Sequence, residues 1–187
     1  MNDLFPRTNA LRLGYKPEQV AAFFDEARLA YERPGSPDAE VSQLDVRRAA
    51  FDLKHGGYST AAVDAALDRL ELAFAERTRD IYVRAHSREE WMAHLAERAQ
   101  VLYPRLRRPV GERFAHPATF KHGYDVRQVD AVMARITEFF DTGAPLEADE
   151  LRAIAFSTKT GTRAYDERTV DAFIARTVDI LLGVIPA

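Results

Sequence analysis

One short segment recurs four times in this chain, and it constrains the fold more than any other feature. A valine follows a tyrosine by five residues at Tyr15 and Val20, Tyr58 and Val63, Tyr124 and Val129, and Tyr165 and Val170. A phenylalanine opens each copy (Phe5, Phe51, Phe114, Phe156), and glycine precedes the tyrosine in three of them, with Ala164 in the fourth. Asp64, Asp130 and Asp171 follow the valine, whereas the first copy has Ala21 there. Composition bias does not impose a match position by position, so the frame is a repeated structural unit. Tyr124 lies 109 residues after Tyr15 and Tyr165 lies 107 after Tyr58, which makes the chain a duplicated pair. The spacing leaves open whether the first repeat packs on the second or on the third.

Each copy reads as the start of a helix. With the residue after the tyrosine as N-cap, the tyrosine and valine occupy N′ and N4, the two positions of a hydrophobic staple. Ser59, Asp125 and Asp166 are strong N-caps, worth about 1 kcal/mol each over alanine. Gln128 is placed to close a capping box, and Pro17 suits the first helical position. Apolar residues then recur at three- and four-residue steps, as in Val63, Leu67, Leu70 and Phe74, the stripe of a packed helix. A glycine ahead of the tyrosine suits a sharp turn at positive φ. A shorter apolar element precedes each main helix, clearest at Leu44–Phe51 and Leu146–Phe156. Trp91, Leu95, Ala99 and Leu102 mark one face of an extra helix, which Pro104 and Pro109 should end.

Linkers fall at Pro34–Asp38, Arg105–Gly111 and Thr142–Pro145. No alternating strand pattern stands out. The expected fold is therefore all-α, tandem helix-loop-helix repeats in two pseudo-symmetric halves. Residues 1–86 form the first pair, 87–109 the intervening helix and linker, and 110–187 the second pair. A tyrosine-to-valine clasp lying inside a strand contradicts this expectation.

Charge and composition narrow the function. Lys+Arg 26 against Asp+Glu 29 gives −3 over 187 residues, which excludes a general polyanion binder and nucleic acid as the expected partner. With no cysteine there is no disulfide, zinc thiolate site or cysteine nucleophile, and a reducing cytosol is the natural compartment. No stretch approaches the roughly 20 apolar residues of a membrane span, and Met1–Arg12 lacks a secretory pattern. His55, His86, His94, His116 and His122 have no metal-ligand spacing, and Thr158–Thr162 is not a phosphate loop. No catalytic residue, cofactor or metal is expected. Arg105, Arg107, Arg108 and Arg113 read as a solvated connection, and Trp91 with Met92 as core.

At Gly123, Tyr124, Asp125, Val129 and Asp130 the sequence resembles the actinobacterial DivIVA-domain repeat proteins. Phe156, Tyr165, Asp166, Val170, Asp171 and Phe173 resemble them nearly as well. The resemblance implies a bacterial cell-division or polar-growth scaffold whose domain sits at curved membrane and whose coiled coil oligomerises. No heptad seam of three or more repeats follows any copy, so filament formation is not carried over. The resemblance also implies that two repeats pack within one chain as two subunits do in single-repeat relatives.

From the same resemblance, the loop before the glycine touches membrane through an apolar tip beside a basic residue. The matching residues are Leu11 with Arg12, Leu53 with Lys54, Phe120 with Lys121, and Lys159 with Arg163. All four lysines of the chain, Lys16, Lys54, Lys121 and Lys159, lie in or beside these loops. Near an anionic surface each basic residue adds about 1 kcal/mol. The plainer alternative is that lysines sit in loops because loops are solvated, and that Phe120 folds back onto the core. Asp64, Asp130 and Asp171 read as structural clamps at helix N-termini, since no partner base stands at a fixed spacing. The expected function is a non-catalytic scaffold or adaptor, cytoplasmic and peripheral at the inner face of the cell membrane, with an unidentified protein partner and a monomeric or homodimeric state. The alternative is a soluble helical protein-binding module with no membrane role.

Overall fold

The computed structural model describes residues 3–33, 41–118 and 120–184, so the linker expected at Pro34–Asp38 lies outside the described residues. The chain forms two compact units, Met1–Ile81 and Tyr82–Ala187. In the first, β1 (Leu13–Tyr15) runs into α1 (Pro17–Glu32), and α2 (Gln43–Arg48) leads through β2 (Leu53–His55) into α3 (Thr60–Ala85), which continues past the division. Pro17 opens α1 behind Lys16, whose side chain makes no cap bond. Ser42 and Asp45 form a reciprocal capping box on α2, and Arg47 and Arg48 occupy its last turn, where the helix dipole favours cations. Ala27, Ala30, Val46 and Phe74 make one core cluster, and Val20, Tyr58 and Val63 another. Glu71, only 3% exposed, accepts from Arg47 Nε at 2.7 Å.

The second unit adds α4 (Arg88–Gln100) and the short α5 (Tyr103–Leu106) ahead of its pair of repeats. Ser87 caps α4 by accepting the Glu90 N–H, and Trp91, Leu95, Ala99 and Leu102 are all buried. Trp91 Nε1 donates to the Gly183 carbonyl at 2.8 Å. Pro104 does not end the helical run but sits in the first turn of α5, where no N–H is needed. Next come β3 (His122–Asp125), α6 (Val126–Thr142), α7 (Ala148–Arg152), β4 (Thr158–Thr160), a single 3-10 turn at Gly161–Arg163, β5 (Ala164–Tyr165) and α8 (Glu167–Gly183). Gly143 stops α6 in the left-handed conformation, φ 74°, its N–H returning to the Phe139 carbonyl.

The fold is mixed α/β, 61% helical and 10% strand with two small antiparallel sheets, and the all-α expectation is corrected accordingly. Leu13 pairs with His55 and Tyr15 with Leu53 in the first sheet; His122 pairs with Thr160 and Tyr124 with Thr158 in the second. The tyrosine of each clasp belongs to these ladders. Tyr15 lies in β1, Tyr124 in β3 and Tyr165 in β5, and Tyr58 bridges Tyr15, while each valine lies on its helix. Strands of two to four residues are too short for alternation to show, and their hydrogen-bond partners lie about forty residues away. Those ladders also settle the pairing. The first repeat joins the second, and the third joins the fourth.

The glycines are explained by proximity, not by positive φ. A Cβ on Gly14 would meet the Tyr58 carbonyl oxygen at 2.3 Å, on Gly57 the Tyr15 carbonyl oxygen at 2.5 Å, and on Gly123 the Tyr165 carbonyl oxygen at 2.1 Å. The two backbones of a pair cross where a side chain does not fit. Positive φ occurs instead at Gly56, Gly111, Gly143 and Gly161.

Candidate functional site

The recurring side chains act across each pair. Phe5 packs edge-on against Tyr58 and Phe51 against Tyr15, with ring centroids at 5.6 and 5.4 Å. Phe114 meets Tyr165 at 5.4 Å and Phe156 meets Tyr124 at 5.0 Å. Each opening phenylalanine thus covers the tyrosine of its sister repeat, a geometry that aromatic quadrupoles favour. All four staple valines, Val20, Val63, Val129 and Val170, are fully buried beneath, each worth about 1.5–3 kcal/mol of apolar burial.

The aspartates are exchanged in the same way. The Tyr15 hydroxyl faces Asp64, and that of Tyr124 donates to Asp171 at 3.5 Å. Tyr165 donates to Asp130, which also accepts the Gly111 N–H at 2.8 Å and faces the Arg113 guanidinium at 3.6 Å. Where the first repeat has Ala21, Tyr58 takes another partner from outside the motif, its hydroxyl donating to Asp3 at 3.5 Å and accepting the Leu4 N–H. Asp130 is 6% exposed and Arg113 8%, so Arg113 is corrected from solvated connection to buried ion. Arg105 is half-buried, lying over the Phe114 ring and donating to the Arg113 carbonyl, whereas Arg107 and Arg108 are exposed. Gln128 closes no capping box. Its Oε1 accepts the Ser157 N–H at 2.8 Å, as Gln19 Oε1 accepts the Asp52 N–H in the first pair.

Desolvation raises the Tyr15, Tyr124 and Tyr165 phenols above their ordinary value, and the facing Asp64, Asp171 and Asp130 add to it. For Tyr165 the Arg113 N–H pulls the other way without reversing the shift. Since the fold favours the protonated phenol, this stabilisation is present below the unfolded pKa of about 10 and lost as pH rises through the folded values. The thermal midpoint is expected to fall above about pH 10, and Tyr15, Tyr124 and Tyr165 to ionise late in an absorbance titration of the folded chain. Ionisation of these three at the ordinary value contradicts this.

The loop residues separate into two kinds. Leu11 is 88% exposed and Phe120 91%, at equivalent points of the two pairs, so Phe120 does not fold back onto the core. Phe120 also holds φ at +70°, rare for a bulky side chain. Arg12 and Lys121 beside them are exposed, and among the described residues neither has an ion-pair partner. Leu53 is half exposed, but Lys54 is held by Glu18 at 3.0 Å and Lys16 by Asp52 at 2.8 Å. Lys159 and Arg163 leave the tip altogether. With Arg127, Thr162, Asp125 and Val126 they line a crevice of about 300 Å³. Sequence reading missed Arg127, whose only signal is that it stands where the first pair has Glu18.

His86 and His94 stack near Tyr82, at 4.4 and 5.9 Å, in an aromatic cluster with Trp91. Among the described residues no helix is long and apolar enough to cross a membrane. No protein-family model, curated protein or solved structure matches the chain.

Proposed function

We propose that the protein is a non-catalytic scaffold or adaptor of bacterial cell division or polar envelope growth, held peripherally at the inner face of the cell membrane by two apolar tips. The observation that carries this reading is the repeated tip. An almost fully exposed leucine or phenylalanine stands at the same point of both pairs, beside a cation that has no ion-pair partner among the described residues. The strained φ of Phe120 supports it, because strain of this kind persists where the exposed position has a use. The DivIVA-like residues Gly123, Tyr124, Asp125, Val129 and Asp130 support the cellular setting, and the reciprocal pairing of repeats supports an intramolecular version of a two-subunit assembly. One tip gives marginal, reversible attachment, and the chain carries two.

Co-sedimentation with vesicles of phosphatidylcholine, with and without phosphatidylglycerol, tests this. Pelleting is expected only with the anionic lipid. Leu11→Ser and Phe120→Ser should each weaken it about tenfold, since each removes roughly 1.5 kcal/mol or more of apolar burial. Both positions are exposed, so thermal stability should not fall. Pelleting independent of lipid charge and of both tips removes the membrane role, and the protein-binding alternative then takes its place.

A further inference from the structure

We infer that the crevice between the start of α6 and the β4–β5 connection is a binding site for a phosphate monoester, built into the second pair of repeats and absent from the first. The argument is a comparison of the chain with itself. Strand register aligns Lys54 with Lys159, opposite Gly14 and Gly123. In the first pair the surrounding charges cancel, with Lys54 on Glu18 at 3.0 Å and Lys16 on Asp52 at 2.8 Å. In the second pair Arg127 stands in place of Glu18, Ser157 in place of Asp52 and Asp125 in place of Lys16. The connection there is also two residues longer. Tyr58 follows Lys54 by four positions, whereas Tyr165 follows Lys159 by six. The added Thr162 and Arg163 form the crevice wall.

The result is a cavity of about 300 Å³ carrying Arg127, Lys159 and Arg163, with the Thr162 hydroxyl. The opposing carboxylate is Asp125, whose Oδ1 already accepts the Arg127 N–H at 2.9 Å and whose Oδ2 lies 3.9 Å from Lys159 Nζ. Three cations against one carboxylate leave two positive charges, and among the described residues neither Arg127 nor Arg163 has an ion-pair partner. Two guanidiniums offer the planar, two-pronged donors that match phosphate oxygens, and a lysine adds a point charge. The volume, about 300 Å³, sits at the small end of ligand pockets and admits a phosphate with a short organic substituent. Such a group comes either from a soluble metabolite or from a phosphatidic-acid headgroup.

Calorimetric titration of the full chain at low salt distinguishes the sources, with glycerol 3-phosphate in one arm and phosphatidylcholine vesicles with and without phosphatidic acid in the other. Saturable binding of one equivalent is expected in at least one arm. Arg127→Glu, which restores the charge pattern of the first pair, should weaken it at least tenfold, and Arg163→Gln should weaken it severalfold. Lys54→Ala and the tip variants Leu11→Ser and Phe120→Ser should leave glycerol 3-phosphate binding unchanged, so failure of the membrane reading and failure of this one are told apart. Arg127 is exposed and its replacement should not disturb folding; if it does, Arg163→Gln alone decides. No saturable binding in either arm, or binding indifferent to both crevice variants, overturns the inference.

Discussion

Alanine in place of Gly123 is expected to cost the second unit about 3 kcal/mol or more, a large share of the 5–15 kcal/mol that holds a domain. The added Cβ falls 2.1 Å from the Tyr165 carbonyl oxygen and 3.0 Å from its carbon. Neither side yields easily. Tyr124 pairs with Tyr165, Gly123 pairs with Lys159, and the Asp166 N–H is tied to the Ala115 carbonyl at 2.8 Å. The obstacle is backbone, not the end of a side chain that can turn away. Gly161→Ala is the comparison. Its Cβ meets nothing within 4 Å, so only the left-handed φ of +61° is penalised, at about 1 kcal/mol. Trp91, the chain's only tryptophan, is buried in the same unit, and its emission during urea unfolding reads both variants. A Gly123→Ala chain that unfolds like the parent contradicts the crossing of the two backbones.

Asp130→Ala is expected to cost about 3–5 kcal/mol, because it strands the Arg113 guanidinium in the interior. Arg113 Nε and Nη1 are buried with no hydrogen-bond partner, so the carboxylate at 3.6 Å is what compensates their charge. Tyr165 and Gly111 lose an acceptor in the same step. The equivalent Asp171→Ala should cost less than about 1 kcal/mol, since that carboxylate is exposed and its tyrosine bond is long. Replacing both ions, as Arg113→Met with Asp130→Leu, should recover most of the loss. Equal effects at Asp130 and Asp171 in urea unfolding contradict the buried-ion account.

What the sequence shows well is local. The N-cap positions of Asp125 and Asp166, the first-turn Pro17, the buried valines and the Trp91 face all depend on residues within a turn or two, where periodicity and capping chemistry speak. What it hides is the purpose of the other motif residues. Phe51, Tyr15 and Asp64 look like parts of separate helix starts, yet they meet one another across the pair, and no spacing rule links positions 36 or more residues apart. The same distance hid the strands and gave Gly14, Gly57 and Gly123 the wrong explanation. Among the loop residues, exposure separates Leu11 and Phe120 from Leu53. The ion pairs of Lys54 and Lys16, and the place of Lys159 and Arg163 in a crevice with Arg127, follow only from the register of two three-residue strands.

That register is also the most direct test of the central claim, that sister repeats lock onto each other within one chain. Leu13 and His55 are Cα partners, flanked by the bonds Gly56 N–H to Arg12 carbonyl and Lys16 N–H to Asp52 carbonyl, so they form a close, non-hydrogen-bonded pair. His122 and Thr160 stand in the same relation. The native chain has no cysteine to interfere, and such a pair lies within disulfide reach. Mild oxidation of Leu13→Cys/His55→Cys and of His122→Cys/Thr160→Cys, followed by peptide mapping, should find one intrachain disulfide in each, with thermal stability at or above that of the parent. Thiols that stay reduced in a folded chain, or bonds that join two chains instead, would contradict the account.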